Sequence, residues 1–220
     1  MNLSYFLGYC AFRTAFATYF RCRFFNAGRV PRTGPVILAS NHASFLDPPL
    51  VGAALHRQIN YLARKSLFRN PLMAAVLRSW NVVPVERDSG AGGAGLKAIL
   101  DRLIAGGAII LFPEGTRTPD GRLHPARAGI GLTVIKSAAP VVPVRVFGTY
   151  EAFGRHLRFP RPRPVAVKFA PPMDFSALRA EAATCSKPRL KAVYQQVADE
   201  IMDVITRLEP CADVTNFPPR

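Results

Sequence analysis

The sequence predicts an α/β fold, a single domain with a mixed β-sheet flanked by helices and preceded by an amino-terminal, membrane-associated helical segment. Three observations predict it. From Pro35 onward, short apolar runs alternate with longer stretches of helical periodicity, the pattern of strands joined by crossover helices. The length of 220 residues suits one domain, since single domains run to ~100–200 residues and α/β domains often exceed that. Residues 3 to 25 stand apart as an aromatic, apolar stretch whose only charged residues are arginines. The chain therefore divides into an amphipathic membrane-association segment (1–28), a main domain (29–209) and an irregular tail (210–220).

The first segment carries Tyr5, Phe6, Leu7, Tyr9, Phe12, Phe16, Tyr19, Phe20, Phe24 and Phe25, interrupted by Arg13, Arg21 and Arg23. A spanning helix needs ~20 mostly apolar residues, and an arginine at its centre costs ~2.5–3.5 kcal/mol. Arg13 thus favours a helix lying in the interface, with aromatics at the headgroup level and arginines meeting anionic lipid. On that reading the segment is dispensable to the core. The alternative is a first helix packed on the domain, its arginines reaching out to water.

Strands are expected at 36–40 (VILAS), 59–63 (INYLA), 81–85 (NVVPV), 108–112 (AIILF), 141–147 (VVPVRVF) and 164–169 (PVAVKF). Helices are expected at 48–56, 71–79, 95–105, 127–138 and 187–208, the last with Leu190, Val193, Val197, Ile201 and Ile205 near helical spacing. Pro84 and Pro143 remove ladder donors, so their strands should be edges, bulged or short. Gly90 to Gly95 literally fits GxGxxG. That fingerprint should leave a buried strand directly, whereas Glu86, Arg87, Asp88 and Ser89 intervene, so the segment reads as a loop.

A formal net charge of +15 draws the protein to anionic partners: a bilayer surface, phosphorylated substrates, an acidic carrier protein or nucleic acid. Charge alone does not choose, but no nucleic-acid-binding module is visible. Cys10, Cys22, Cys185 and Cys211 form no CxxC pair and have no histidine at metal-ligand spacing, so neither a metal site nor a redox motif is expected. A reduced cytosolic setting fits, and the amino terminus lacks the basic region and cleavage site of a secretory signal. No GxSxG nucleophile elbow is present, since Ser40 and Ser44 lack its glycines.

Two clusters of polar residues follow apolar strands, where open α/β sheets bind ligands. The first is Asn41-His42-Ala43-Ser44-Phe45-Leu46-Asp47. On a continuous helix, residues five apart point about 140° away from each other at 3.6 residues per turn. His42 and Asp47 can therefore meet only if the chain folds back between them. Asp47 before Pro48 also reads as a helix N-cap, and His42 as a loop histidine satisfied by backbone. The second cluster, Phe112-Pro113-Glu114-Gly115-Thr116-Arg117-Thr118, follows AIIL on a turn. Glycine permits close backbone approach, free N–H groups accept anion oxygens, and arginine grips phosphate in a fork; an ordinary strand exit is the alternative. Arg155, Arg158, Arg161 and Arg163 lie in a proline-stiffened loop, read as solvated or as a contact for anionic lipid or coenzyme A phosphates. His56, His124 and His156 have no visible partners.

NHASFLD followed some seventy residues later by FPEGTRT resembles the glycerolipid acyltransferase family, the group that includes 1-acylglycerol-3-phosphate acyltransferases. NVVPVERD, with Arg87, resembles the family's intermediate block, and VVPVRV at 141–146 its final one. The order and spacing agree over roughly residues 30 to 150. The resemblance implies that 29–209 is an acyltransferase domain with His42 as general base and Asp47 as its orienter. It implies that Glu114, Gly115, Thr116, Arg117 and Arg87 bind an acceptor phosphate, with Lys65 near the site. Arg127 stands where members of that family often carry a lysine, a departure from the pattern, and by the resemblance would be a further substrate contact. The implied reaction moves a fatty acyl group from a thioester donor to the free hydroxyl of a lysophosphatidic-acid-like acceptor. Other acceptors are glycerol-3-phosphate, another lysophospholipid or a lyso-aminolipid. No cofactor is implied, acyl-CoA or acyl-carrier protein being the co-substrate. The expected setting is the cytoplasmic face of a membrane, peripheral or monotopic.

Overall fold

The computed structural model describes residues 2–85 and 92–210. Seven strands form one sheet: β1 (Arg23–Phe25), β2 (Val36–Ser40), β3 (Ile59–Arg64), β4 (Val82–Val85), β5 (Ala108–Leu111), β6 (Val141–Phe147) and β7 (Ala166–Phe169). Their order is β1-β7-β6-β2-β5-β3-β4, parallel throughout except for the antiparallel β6–β7 pair. The sheet is therefore mixed, as the sequence predicts.

β2 lies at its centre, flanked by β5 and β6, and all five of its residues are buried. Its uniformly apolar sequence is that of a strand covered on both faces. Val36 and Leu38 point into one core layer and Ile37 and Ala39 into the other, as the two-residue period of a strand requires. The first layer is closed by α1 (Leu3–Thr18) and α2 (Asp47–Ala53), through Phe16, Leu50 and Val51. The second is closed by α4 (Gly92–Ile104), α5 (Ala128–Lys136) and α8 (Lys187–Arg207). In α8, Val193, Val197, Ile201 and Ile205 form the buried stripe that their spacing predicts.

The remaining helices are α3 (Pro71–Ser79), α6 (Thr149–Phe153) and α7 (Ser176–Thr184), the last two absent from the sequence reading. In α3 the Asn70 side chain accepts from the Leu72 and Met73 N–H groups, with Pro71 opening the helix. Pro84 sits in edge strand β4, as expected. Pro143 does not: β6 is interior. The odd-numbered β6 residues face β7, since Val141 exchanges hydrogen bonds with Met173 and the Pro143 carbonyl accepts from Ala170. The donor that Pro143 lacks would face Ala170, one residue past the end of β7 at Phe169, so only one half of that terminal pair is lost and the Ala170 N–H bond is kept.

The amino-terminal segment departs most from expectation. The helix ends at Thr18 rather than running to 25, and residues 23–25 become edge strand β1 on β7. Tyr5, Phe16 and Phe20 are each at most 6% exposed, so the segment completes the core. Arg13 donates to the Ala53 carbonyl and the Tyr9 hydroxyl, each at 2.9 Å; it caps the end of α2. Leu3, Phe6 and Leu7 face outward. Among the described residues no helix is long and apolar enough to cross a membrane. Gly90 and Ala91 lie outside the described residues, whereas Gly92 to Gly95 form the start of α4 rather than the loop that the sequence suggests. The tail after residue 210 also lies outside them.

Candidate active site

At the carboxyl end of β2 the chain is clamped before it turns. The Asn41 side chain accepts from the Val146 N–H at 2.8 Å and donates to the Val146 carbonyl at 3.3 Å, fixing the strand end to β6. His42 follows, and the chain folds back so that His42 Nδ1 lies 2.8 Å from Asp47 Oδ2. The same oxygen accepts the Ala43 and Ser44 N–H groups, each at 2.7 Å. Asp47 thus opens α2 but turns its carboxylate back into the preceding loop. It is fully buried, and its Oδ1 has no partner. The N-cap alternative for Asp47 fails on this geometry.

A carboxylate is acceptor-only, so the proton between the pair sits on Nδ1 and the Nε2 lone pair is left as the basic position. The His42 ring stacks on Phe112 with centroids 3.8 Å apart and planes 15° apart, which fixes the imidazole plane. The FPEGTRT segment holds the His42 backbone at both ends. Glu114 Oε1 accepts the His42 N–H at 3.0 Å, and the His42 carbonyl accepts the Thr118 N–H at 2.8 Å. Ser44 Oγ donates to the Phe153 carbonyl at 2.7 Å, tying the loop to α6.

Glu114 is expected among the phosphate ligands; in the structure its carboxylate turns inward, toward the His42 backbone. Its side chain is buried, and its second oxygen accepts the His124 N–H at 3.3 Å. A carboxylate so placed would repel phosphate; it shapes the His42 loop instead. Burial raises the Glu114 carboxyl above its ordinary value, with the two N–H donors pulling the other way. His124 is no lone surface residue either, since its Nε2 lies 2.9 Å from Asp120. Asp120 is held well below the usual carboxylate range, chiefly by the Thr118 hydroxyl and then by the Arg122 N–H and His124.

The other candidates of this turn do converge. Gly115 and Thr116 are exposed. Gly115 has φ +73°, and a Cβ there would lie 2.9 Å from Cδ of Arg127, so glycine is required both for the backbone and for the arginine packed over the turn. Arg117 is half-buried, its guanidinium carbon 3.5 Å from the ring centroid of Phe45. Arg117 and Arg127 thus flank one turn, while the loop residue Phe45 lies under the first of them. Lys65 is exposed, in a 3-10 turn (Lys65–Phe68) after β3, and β5 intervenes between that strand and β2. Arg87 lies outside the described residues.

Phe45 also lines a cavity of about 300 Å³ between α1, α2, β3 and α3. Its walls include Gly8, Phe12, Pro49, Tyr61 and Trp80. Gly8 lets helix α1 approach the Trp80 ring, which a Cβ would meet at 2.9 Å. The site therefore joins a basic turn to an apolar hollow through one aromatic side chain. Sequence reasoning missed Asn41, Phe112 and Phe45, though all three lie in or beside the polar clusters. Among the described residues no group of three or more His, Cys, Asp or Glu side chains is gathered for a metal ion.

The fold resembles the crystal structure of a 1-acyl-sn-glycerophosphate acyltransferase from Thermotoga maritima. The TM-score is 0.71 at 24% identity, over 94% of this chain and 81% of that one. A chloroplastic 1-acyl-sn-glycerol-3-phosphate acyltransferase of Brassica napus is 33% identical over 116 residues, covering 52% of this chain and 33% of the relative. The 1-acyl-sn-glycerol-3-phosphate acyltransferase of Bacillus subtilis is 29% identical over 125 residues, covering 56% and 61%. The chain thus spans between about a third and about three fifths of the length of these curated relatives. The family model described as Acyltransferase matches residues 21–147, a stretch that holds the His42–Asp47 pair, the Glu114 to Arg117 turn and every strand of the sheet except β7; this chain belongs to the acyltransferase family.

Proposed function

We propose that the chain transfers a fatty acyl group from a thioester donor to the free hydroxyl of a lysophosphatidic-acid-like acceptor, in phospholipid synthesis. The observation that carries this reading is the 2.8 Å bond between His42 Nδ1 and Asp47 Oδ2, which leaves Nε2 free to act as a base. His42 Nε2 takes the hydroxyl proton as the acceptor oxygen attacks the thioester carbonyl. The carbon–sulfur bond then breaks, and the imidazolium returns the proton to the leaving thiolate. Asp47 holds the ring and stabilises its positive form, as in other His–Asp pairs. A thioester is already activated, so no acyl-enzyme is needed.

Gly115, Thr116, Arg117 and Arg127 receive the acceptor phosphate, with Arg87 and Lys65 as further cationic contacts. The hollow beside Phe45 takes an acyl chain. Its apolar walls suit hydrocarbon, and its volume of about 300 Å³ matches the lower range of small-molecule sites. The donor is acyl-CoA or acyl-carrier protein, and no cofactor is used. The enzyme works peripherally on the cytoplasmic face of a membrane, a reading supported by the outward side chains Leu3, Phe6 and Leu7 of α1. The names of the two curated relatives favour this acceptor over glycerol-3-phosphate, other lysophospholipids or a lyso-aminolipid. The test is incubation of purified protein with each acceptor and each donor, followed by identification of the lipid product. Phosphatidic acid from lysophosphatidic acid is the expected product; transfer only to another acceptor would refute the assignment.

A further inference from the structure

The loop from Gly154 to Pro164 carries Arg155, Arg158, Arg161 and Arg163, all exposed, together with Phe159 at 73% exposure. No acidic residue occurs between Ala152 and Met173, and among the described residues no carboxylate is paired with any of the four arginines. The Arg158 guanidinium lies 6.0 Å from the Phe159 ring. A solvated loop has no reason to hold a large aromatic out to water among unpaired cations. An anionic bilayer surface meets both, the ring at the headgroup boundary and the arginines at lipid phosphates.

The loop is held in place. The Tyr19 hydroxyl, at the end of α1, donates to the Pro160 carbonyl at 3.1 Å, and the Arg161 N–H donates to Ala152 at 2.8 Å. Val165 donates to the Phe20 carbonyl, which brings exposed Arg21 alongside. Prolines at 160, 162 and 164 fix the backbone further, so little order remains to be imposed on docking. Its root is built into the active site: Arg155 donates to the Arg117 carbonyl at 3.4 Å, and the Phe153 ring lies 5.5 Å from that of Phe45.

We propose that the Arg158 to Arg163 tip with Phe159 and Tyr19 is a docking surface for anionic lipid bilayers, which sets the mouth of the active site against the surface holding its amphiphilic substrate. The surface itself stands without the reaction; only its purpose rests on the proposed function. The test compares the parent with R158Q/R161Q/R163Q and with F159S, matched by circular dichroism. Flotation is measured on vesicles of phosphatidylglycerol with phosphatidylcholine and on phosphatidylcholine alone. Each arginine near such a surface contributes about fivefold, so the triple variant should bind anionic vesicles on the order of a hundredfold more weakly. Parent binding should weaken as salt is raised, and F159S should lose several-fold. Acyl transfer to a short-chain, monomeric acceptor should be unchanged in both variants, while transfer to vesicle-borne acceptor falls. Undiminished binding by the triple variant would overturn the proposal. So would an equal loss with monomeric acceptor or a rise in acyl-CoA KM, either of which would assign the arginines to a substrate. A parent that binds vesicles but transfers nothing would sink the proposed reaction and leave the docking surface standing.

Discussion

Asp47→Asn separates charge from geometry at the centre of the site. Asp47 Oδ2 accepts three donors, and two of them are the backbone N–H groups of Ala43 and Ser44. Asparagine must aim its carbonyl at those two groups, because the reversed amide would set NH₂ against N–H. The carbonyl then still accepts from His42 Nδ1, so the tautomer is kept and only the negative charge is lost. A charge-assisted hydrogen bond is worth ~1.5–3 kcal/mol and a neutral one ~0.5–1.5. The difference of about 1–1.5 kcal/mol corresponds to roughly a tenfold fall in kcat at ~1.4 kcal/mol per decade. The new NH₂ replaces the partnerless Oδ1, and a buried unsatisfied donor costs ~1–3 kcal/mol of stability. The assay is steady-state transfer with urea melts, plus nitrogen NMR of the imidazole to read the tautomer. A loss of about 10⁴, the size seen when a catalytic histidine adopts the wrong tautomer, would refute the reasoning that the backbone donors dictate the amide's orientation.

Other changes test the neighbouring assignments. Arg117→Ala should raise the acceptor KM about tenfold or more, since a charged hydrogen bond to phosphate is worth ~1.5–3 kcal/mol; Arg117→Lys should be partly active. A rise in donor KM alone would move this residue to the thioester carrier's site. Glu114 has a folded-state carboxyl raised above its ordinary 4.5, so the folded protein holds this proton more tightly than the unfolded one. Its contribution to stability therefore falls as pH rises from 4.5 through the raised value and is flat above it. Glu114→Gln should remove that slope in urea melts, and at neutral pH lose ~1–3 kcal/mol because one of two backbone donors loses its acceptor. Deleting residues 1–25 strips Tyr5, Phe16 and Phe20 from the core and removes β1. Large apolar side chains contribute ~1.5–3 kcal/mol each, a sum comparable to the ~5–15 kcal/mol of a whole domain. The truncated chain should show no cooperative unfolding transition; a stable, folded truncation would contradict the packing of α1.

How legible the molecule is in its sequence depends on how local the cause is. β2 and β6 have the predicted limits because VILAS and VVPVRVF are apolar runs bounded by breakers, and α8 follows from its own periodicity. β1 is hidden because RFF lies inside a longer aromatic stretch and becomes a strand only by pairing with β7, more than a hundred residues away. α1 fails as a purely interfacial helix for a related reason: one composition serves lipid contact and core packing, and only the partner surfaces of α2 and the sheet decide. His42 and Asp47 are legible as a pair that meets only through a fold-back, which the Ala43 and Ser44 N–H groups supply. The role of Glu114 is not, because a motif shows which residues are near a site and not which way a carboxylate turns.

The proposed chemistry depends above all on the base, and single-turnover acyl transfer by His42→Ala, measured on protein whose circular dichroism and vesicle binding match the parent, tests it most directly. A positioned general base supplies ~10²–10⁴-fold. The rate of ester formation should therefore fall by at least about a hundredfold with acceptor KM little changed, whereas transfer at near-parental rate by the folded variant would contradict the assignment of His42 as the base.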